Sequence, residues 1–134
     1  MLFRVEGENT MKYPVNNLRN VCLLGHGGDG KTSLAEALLY YTDGIDRMGK
    51  TADGNTVCDY DPEEVARKIS ISSAIAPIVR NGVKLNIIDT PGYFDFEGEV
   101  IQALKASEFA IIVLSAKDGI NVGTEKAVKL CAKY

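Results

Sequence analysis

Gly25-His26-Gly27-Gly28-Asp29-Gly30-Lys31-Thr32-Ser33 is the stretch that decides the fold of this chain. It fits the pattern GxxxxGK[ST] and stands between a short apolar run, Arg19–Leu24, and a helical pattern, Lys31–Tyr41. The pattern has a mechanism. Glycines let consecutive backbone N–H groups converge on phosphate oxygens, and a helix starting at Lys31 aims the positive end of its dipole at them. The Lys31 ammonium adds a point charge on the β- and γ-phosphates, and the Thr32 hydroxyl is a magnesium ligand. A glycine-rich turn that merely happens to end in Lys-Thr arises in roughly one chain in several hundred of this length. Such a turn also has no reason to lie between a strand and a helix, which is the context the motif requires. Gly25 to Ser33 therefore reads as a loop that binds the phosphates of a nucleotide.

Working outward, Leu34, Leu38 and Tyr41 fall on one helical stripe, with Ala35 and Leu39 beside it, and Thr42-Asp43-Gly44 ends the helix. From Asp46 to Lys68 the chain is polar, charged and aperiodic, as expected of a functional or mobile loop. Its acidic stretch Asp59–Glu64 reads as a solvated face or a helix start, not a second metal site. A strand is expected from Ile69 through Ile71, Ile75 and Ile78. Asn81-Gly82 is a two-residue hairpin signal, and Val83, Leu85 and Ile87 alternate on the returning strand. A helix over Glu97–Ser107 should turn Val100, Ala103 and Leu104 inward. Phe109–Leu114 (FAIIVL) reads as a strand covered on both faces. A last helix from near Thr124 places Ala127, Leu130, Cys131 and Tyr134 on one face. This order predicts an α/β fold of the P-loop NTPase kind, a mostly parallel sheet with one antiparallel edge strand and helices on both faces.

Asp89-Thr90-Pro91-Gly92 is the second chemical element. An aspartate at the C-terminal end of a core strand stands beside the phosphate loop, where it can hold magnesium directly or through water. Gly92 leaves its N–H free to approach the γ-phosphate. Ser70 has two readings: a locally bonded strand serine, or a hydroxyl that closes over magnesium and γ-phosphate as a mobile loop orders. His26, the only histidine, has no metal-ligand cluster around it and reads as a loop-packing residue.

The bulk numbers agree with a single domain. The chain has 134 residues, 46% hydrophobic and 25% charged, with a net charge of −3 and a pI near 5.2, so it carries no electrostatic footprint for nucleic acid. Cys22, Cys58 and Cys131 have no CxxC spacing and read as reduced thiols. With no membrane span or signal core, the expected location is the cytoplasm. Residues 1–17 read as a tail and 18–134 as the domain. Met11 stands where an alternative start would lie.

Taken together, GHGGDGKTS, DYDPEEVARKISISSA, DTPGYFDFEGEV and SAKDGINVGTE resemble the translational GTPases, elongation factor G most closely, over nearly the whole chain from Val15. The likeness is to a divergent elongation factor G-like branch. It implies a protein that binds GTP or GDP with Mg2+, hydrolyses GTP and works with the ribosome in translation elongation. Lys31 and Thr32 take the phosphate and magnesium roles, Ser70 the switch I hydroxyl, and Asp89 and Gly92 the switch II roles. Lys31, Gly92 and Tyr93 fall at catalytic positions. ARKISISSA stands in the frame where the family commonly reads ERGITITSA. Tyr93 replaces the family's histidine after DTPG, and Gly27 and Gly28 replace an apolar residue and an aspartate. No NKxD segment occurs, so guanine preference rests on the resemblance, and the chain reads as a partial GTP-binding domain whose FAIIVL strand is left an unpaired edge. Two alternatives stand beside this reading: a ParA/MinD-like ATPase, whose loop lysine would fall at His26, and a ribosome-associated switch with little turnover.

Overall fold

Leu18–Leu24 becomes the central strand, β1, because Val21, Cys22, Leu23 and Leu24 are apolar in succession and each face has a layer to pack on. In the computed structural model, which describes residues 13–134, β1 runs parallel to both β3 (Val83–Asp89) and β4 (Phe109–Ile112). Strand β2 (Ala74–Arg80) pairs antiparallel with β3, which gives the order β2-β3-β1-β4. The hairpin turn has positive φ at both central residues, 51° at Asn81 and 76° at Gly82, the combination a type I′ turn needs. It fixes the register at Arg80 opposite Val83.

Strand alternation divides the core into two layers. Val21 and Leu23 face α1 (Lys31–Tyr41) and pack with Ala35, Leu39, Ala76, Ile78 and Ile87. Cys22 and Leu24 face the opposite way, against Ala103 and Leu104 of α3 (Glu97–Ala106) and Ala127 of α4 (Val122–Lys133). The expected P-loop architecture, with helices on both faces, is the one observed.

Several local expectations give way. The strand expected from Ile69 begins only at Ala74, and its alternation points Ala76 and Ile78 inward and leaves Ile75 exposed. Tyr41 does not join the buried stripe. It lies at the surface with the Arg80 guanidinium 4.9 Å from its ring centre, a cation–π contact. Tyr134 is likewise exposed, under the ammonium groups of Lys105 and Lys133. FAIIVL is not covered on both faces: Phe109 is 61% and Ile111 44% exposed, and of β4 only Ile112 packs against the core.

Residues 46–68 are not a bare loop. They contain a 3-10 turn, Thr51–Asp53, and a short helix, α2 (Pro62–Arg67). Asp61 caps α2 by accepting from the Glu63 N–H at 2.8 Å, while Glu64 reaches back to the Asp61 N–H at 3.1 Å. This reciprocal box, with proline at the first helical position, is a strong local start signal. The helix-start reading of Asp59–Glu64 holds, and the solvated-face reading holds for Tyr60–Glu63 but not for Asp59 and Glu64, which are buried. Of the expected tail, Val15–Asn17 forms a 3-10 turn and Asn17 donates to the Gly82 carbonyl at 3.2 Å, so this end belongs to the fold. Residues 1–12 lie outside the described residues.

Candidate functional site

The loop between β1 and α1 is shaped by its backbone. Gly28 and Gly30 adopt φ of 91° and 97°, a region that L side chains avoid. Gly30 caps α1 without any side-chain bond, so the first-turn N–H groups of α1 remain directed toward the loop. Asp29 closes the outer side, accepting from the His26 N–H at 3.0 Å. Lys31 is only 5% exposed, not the solvent-facing charge a surface loop would carry. Its Nζ donates to the carbonyls of Gly25 at 3.0 Å and His26 at 2.8 Å. Burial pulls its pKa down, opposed by the charges of Asp89 and Asp29.

Hydroxyls and carboxylates meet at the start of α1. Thr32 Oγ1 lies 3.1 Å from Ser70 Oγ, and Ser70 donates to Asp59 Oδ1 at 2.7 Å. Thr56 donates to the other Asp59 oxygen at 3.2 Å. Asp89, at the end of β3, is 2% exposed. Its Oδ1 has no hydrogen-bond partner among the described residues. Burial pushes its pKa up to about 6, while the Thr32 hydroxyl and the Lys31 charge pull the other way. A buried carboxylate oxygen without a partner is costly, and one beside the Thr32 hydroxyl, itself next to Ser70, fits a magnesium ion. That ion takes oxygen ligands, one or two carboxylates, and otherwise phosphates and water. Among the described residues no group of three or more His, Cys, Asp or Glu is placed to hold a metal ion by itself.

A cavity of about 220 Å³ opens here, walled by Gly30, Lys31, Thr32, Ser33, Ser70 and Gly92 among others. Gly27, Gly28 and Tyr93 line it too, whereas Gly25, His26 and Asp29 do not. His26 instead packs on the start of α4, where a Cβ on Gly123 would lie 2.6 Å from His26 Nδ1, in line with the loop-packing reading. Thr90 and Pro91 also turn away from the cavity. The Thr90 hydroxyl donates to the Leu23 carbonyl at 2.6 Å and ties the end of β3 to β1. Gly92 is forced by close approach, since a Cβ there would lie 2.5 Å from the Gly27 nitrogen and collide with Lys31 Nζ. The two unusual positions, Gly27 and Tyr93, turn out to be one feature. The Tyr93 ring lies over Gly27, where a Cβ would sit 2.9 Å from a ring carbon.

Sequence reading missed the carboxylates that hold residues 46–73 against this corner. Glu36 of α1, fully buried, accepts from the N–H groups of Gly49 at 2.9 Å and Val57 at 2.5 Å. Glu64 accepts from those of Ile71 at 2.9 Å and Ser72 at 3.0 Å. Asp59, which positions Ser70, and Lys68, on the cavity wall, were missed as well. For Asp59 and Glu64 a run of acidic residues in an aperiodic segment was the only signal, and it also describes a solvated loop.

A glycine-shaped phosphate loop opening a helix, with an aspartate at the end of the neighbouring parallel strand, defines a P-loop nucleotide-binding domain. The family model described as the Elongation factor Tu GTP binding domain matches residues 16–134, and the chain belongs to that family of translational GTPases. The elongation factor G-like protein of Mycobacterium tuberculosis is 40% identical over 116 residues, which cover 87% of this chain and 16% of that protein. Elongation factor G 2 of Borreliella burgdorferi is 40% identical over 118 residues, 88% of this chain and 18% of its own length. A Thermus thermophilus protein of known crystal structure superposes with a TM-score of 0.84 at 41% identity, covering 86% of this chain and 17% of the other. A bacterial selenocysteine-specific elongation factor does so with a TM-score of 0.67 at 27% identity, over 91% and 18%. The chain thus spans less than a fifth of the length of these relatives. Family membership sets aside the ParA/MinD-like alternative.

Proposed function

We propose that the protein is an elongation factor G-like switch that binds Mg-GTP and hydrolyses it on the ribosome in translation elongation, in the cytoplasm. The observation that supports this best is the Thr32–Ser70–Asp89 corner, where two hydroxyls and an unpaired buried carboxylate oxygen adjoin the phosphate loop. Thr32, Ser70 and Asp89 would hold magnesium, which when bound neutralises charge on the phosphates. The N–H groups of Gly27 to Ser33 hold the phosphates, and the Lys31 ammonium turns from the Gly25 and His26 carbonyls toward them. Gly92, pressed against the loop, contributes its N–H where a γ-phosphate would lie. Ser70 then reports the nucleotide: its hydroxyl joins residues 46–73 to the phosphate corner, so loss of the γ-phosphate releases that segment.

A switch with low turnover is the second reading, favoured by Tyr93. Its ring rests on Gly27, at the position where the resemblance places a water-orienting histidine. Hydrolysis depends on orienting the attacking water and on electrostatics, so displacing that group limits the rate more than it limits binding. Calorimetry of the full-length protein with GTP, GDP and ATP in magnesium, followed by single-turnover hydrolysis with and without ribosomes, tests both. GTP selectivity with ribosome-stimulated turnover supports the first reading, and selectivity without stimulation supports the second. Equal binding of ATP refutes both.

A further inference from the structure

Lys68 ends α2 at φ 57° and ψ 39°, the left-handed region that glycine or asparagine usually takes at a helix C-terminus. A lysine there is strained, and strain of this kind gathers where a ligand or a switch over-determines the backbone. The position is the one at which the family pattern ERGITITSA carries glycine, so this chain has exchanged an unstrained residue for a strained one. The exchange brings a cation: Lys68 lines the same cavity as Gly28, Gly30, Lys31 and Thr32.

The other wall of that cavity has changed in the same electrical direction. Gly28 stands where the family usually has an aspartate, and a Cβ built on it would meet nothing within 4 Å. Relative to the family pattern, the cavity has lost a negative charge at Gly28 and gained a positive one at Lys68. Both changes favour a polyanion. Lys68 Nζ meanwhile donates to the backbone carbonyl of Ala52, in the Thr51–Asp53 turn, and Thr51 also lines the cavity. That acceptor is neutral. An ammonium bonds more strongly to an ionised phosphate oxygen than to a carbonyl, and the exposed Lys68 side chain is free to re-aim.

We infer that Lys68 is a second phosphate-binding cation, which leaves the Ala52 carbonyl for an oxygen of the nucleotide's polyphosphate and supplements Lys31. This rests on the nucleotide-binding reading above. It makes the left-handed lysine a binding device of the segment that also carries Ser70, and it gives that segment an electrostatic hold on the ligand independent of magnesium.

The test uses the full-length protein with Lys68→Gly, Lys68→Gln and Lys68→Arg, titrated by calorimetry with a non-hydrolysable GTP analogue and with GDP at low and high salt. Lys68→Gly and Lys68→Gln should each weaken the analogue about tenfold, as expected for a lost charge-assisted bond. Lys68→Arg should stay within about threefold, since it keeps the charge, and the losses should shrink at high salt. Lys68→Gly should hold or raise the melting temperature, because glycine relieves the backbone. Lower affinity with higher stability is a pair of effects that a merely structural cap cannot produce. If Lys68→Gly binds the analogue as tightly as the unmodified protein, the assignment of Lys68 is overturned while the nucleotide site stands. If the folded, unmodified protein binds neither nucleotide, the site itself is refuted and the role of Lys68 with it.

Discussion

Two segments border the phosphate cavity, and they are built in opposite ways. Residues 18–44, comprising β1, the glycine loop and α1, are held by short-range rules: an apolar run, left-handed glycines and a helix with Ala35 and Leu39 on its buried side. Residues 46–73 have almost no apolar pattern and are held by carboxylates that accept from backbone N–H groups and hydroxyls. Glu36 anchors the front of the segment, Asp59 the Ser70 hydroxyl and Glu64 the strand approach at Ile71 and Ser72. Apolar packing tolerates small shifts, whereas a hydrogen-bonded latch is nearly all made or all lost. The first segment is therefore suited to hold phosphate and the second to respond to it.

The largest expected break is in the first segment. Lys31→Met should lower Mg-GTP affinity by about three orders of magnitude, roughly 4 kcal/mol. The melting temperature should hardly move, because burying the ammonium opposes its own charge. Calorimetry and a thermal melt on the same sample check this. Next comes the latch. Glu64→Ala leaves the N–H groups of Asp61, Ile71 and Ser72 without their acceptor and should cost about 3 kcal/mol locally. Hydrogen exchange should speed up at Ile71 and Ser72 while β1 amides keep their protection. Equal acceleration in both segments would erase the contrast between them.

Gly27→Val should destabilise by about 2 kcal/mol, the usual scale of overpacking, because its side chain meets the Tyr93 ring. Adding Tyr93→His should restore the melt, and the double variant should hydrolyse GTP faster than the unmodified protein in single turnover with ribosomes. Tyr93→His alone should gain less, since it leaves the space over Gly27 unfilled. The smallest effect is expected at Ser70. Ser70→Ala removes one hydroxyl from the corner and should reduce the preference for triphosphate over diphosphate about tenfold, a scale of ~1.4 kcal/mol, measured by competition titration.

The legibility of the two segments in sequence follows the same division. The glycine loop, β1, α1, the Asn81-Gly82 hairpin and α3 could be read because each is specified by neighbours a few residues away. Asp89 could be read for the same reason, as the end of an apolar strand. Ser70 was readable as a hydroxyl but not as one already joined to Thr32 and Asp59. Lys68 looked like one more charge in a polar run, since nothing local shows that it ends a helix on a cavity wall.

The sequence by itself determined that this chain folds as a P-loop domain and which loop has the glycine pattern suited to phosphate. Period-2 and period-3.6 apolar patterns and positive-φ glycines act over a few bonds and are written in consecutive residues. Only the tertiary structure decided that Glu36, Asp59 and Glu64 are buried, that Tyr93 lies on Gly27, and that Phe109 of β4 is left uncovered. These depend on which donors, rings and strands the fold brings together from distant positions. A carboxylate in water and one satisfied by remote N–H groups look identical along the chain, and they differ only once the fold has removed the water.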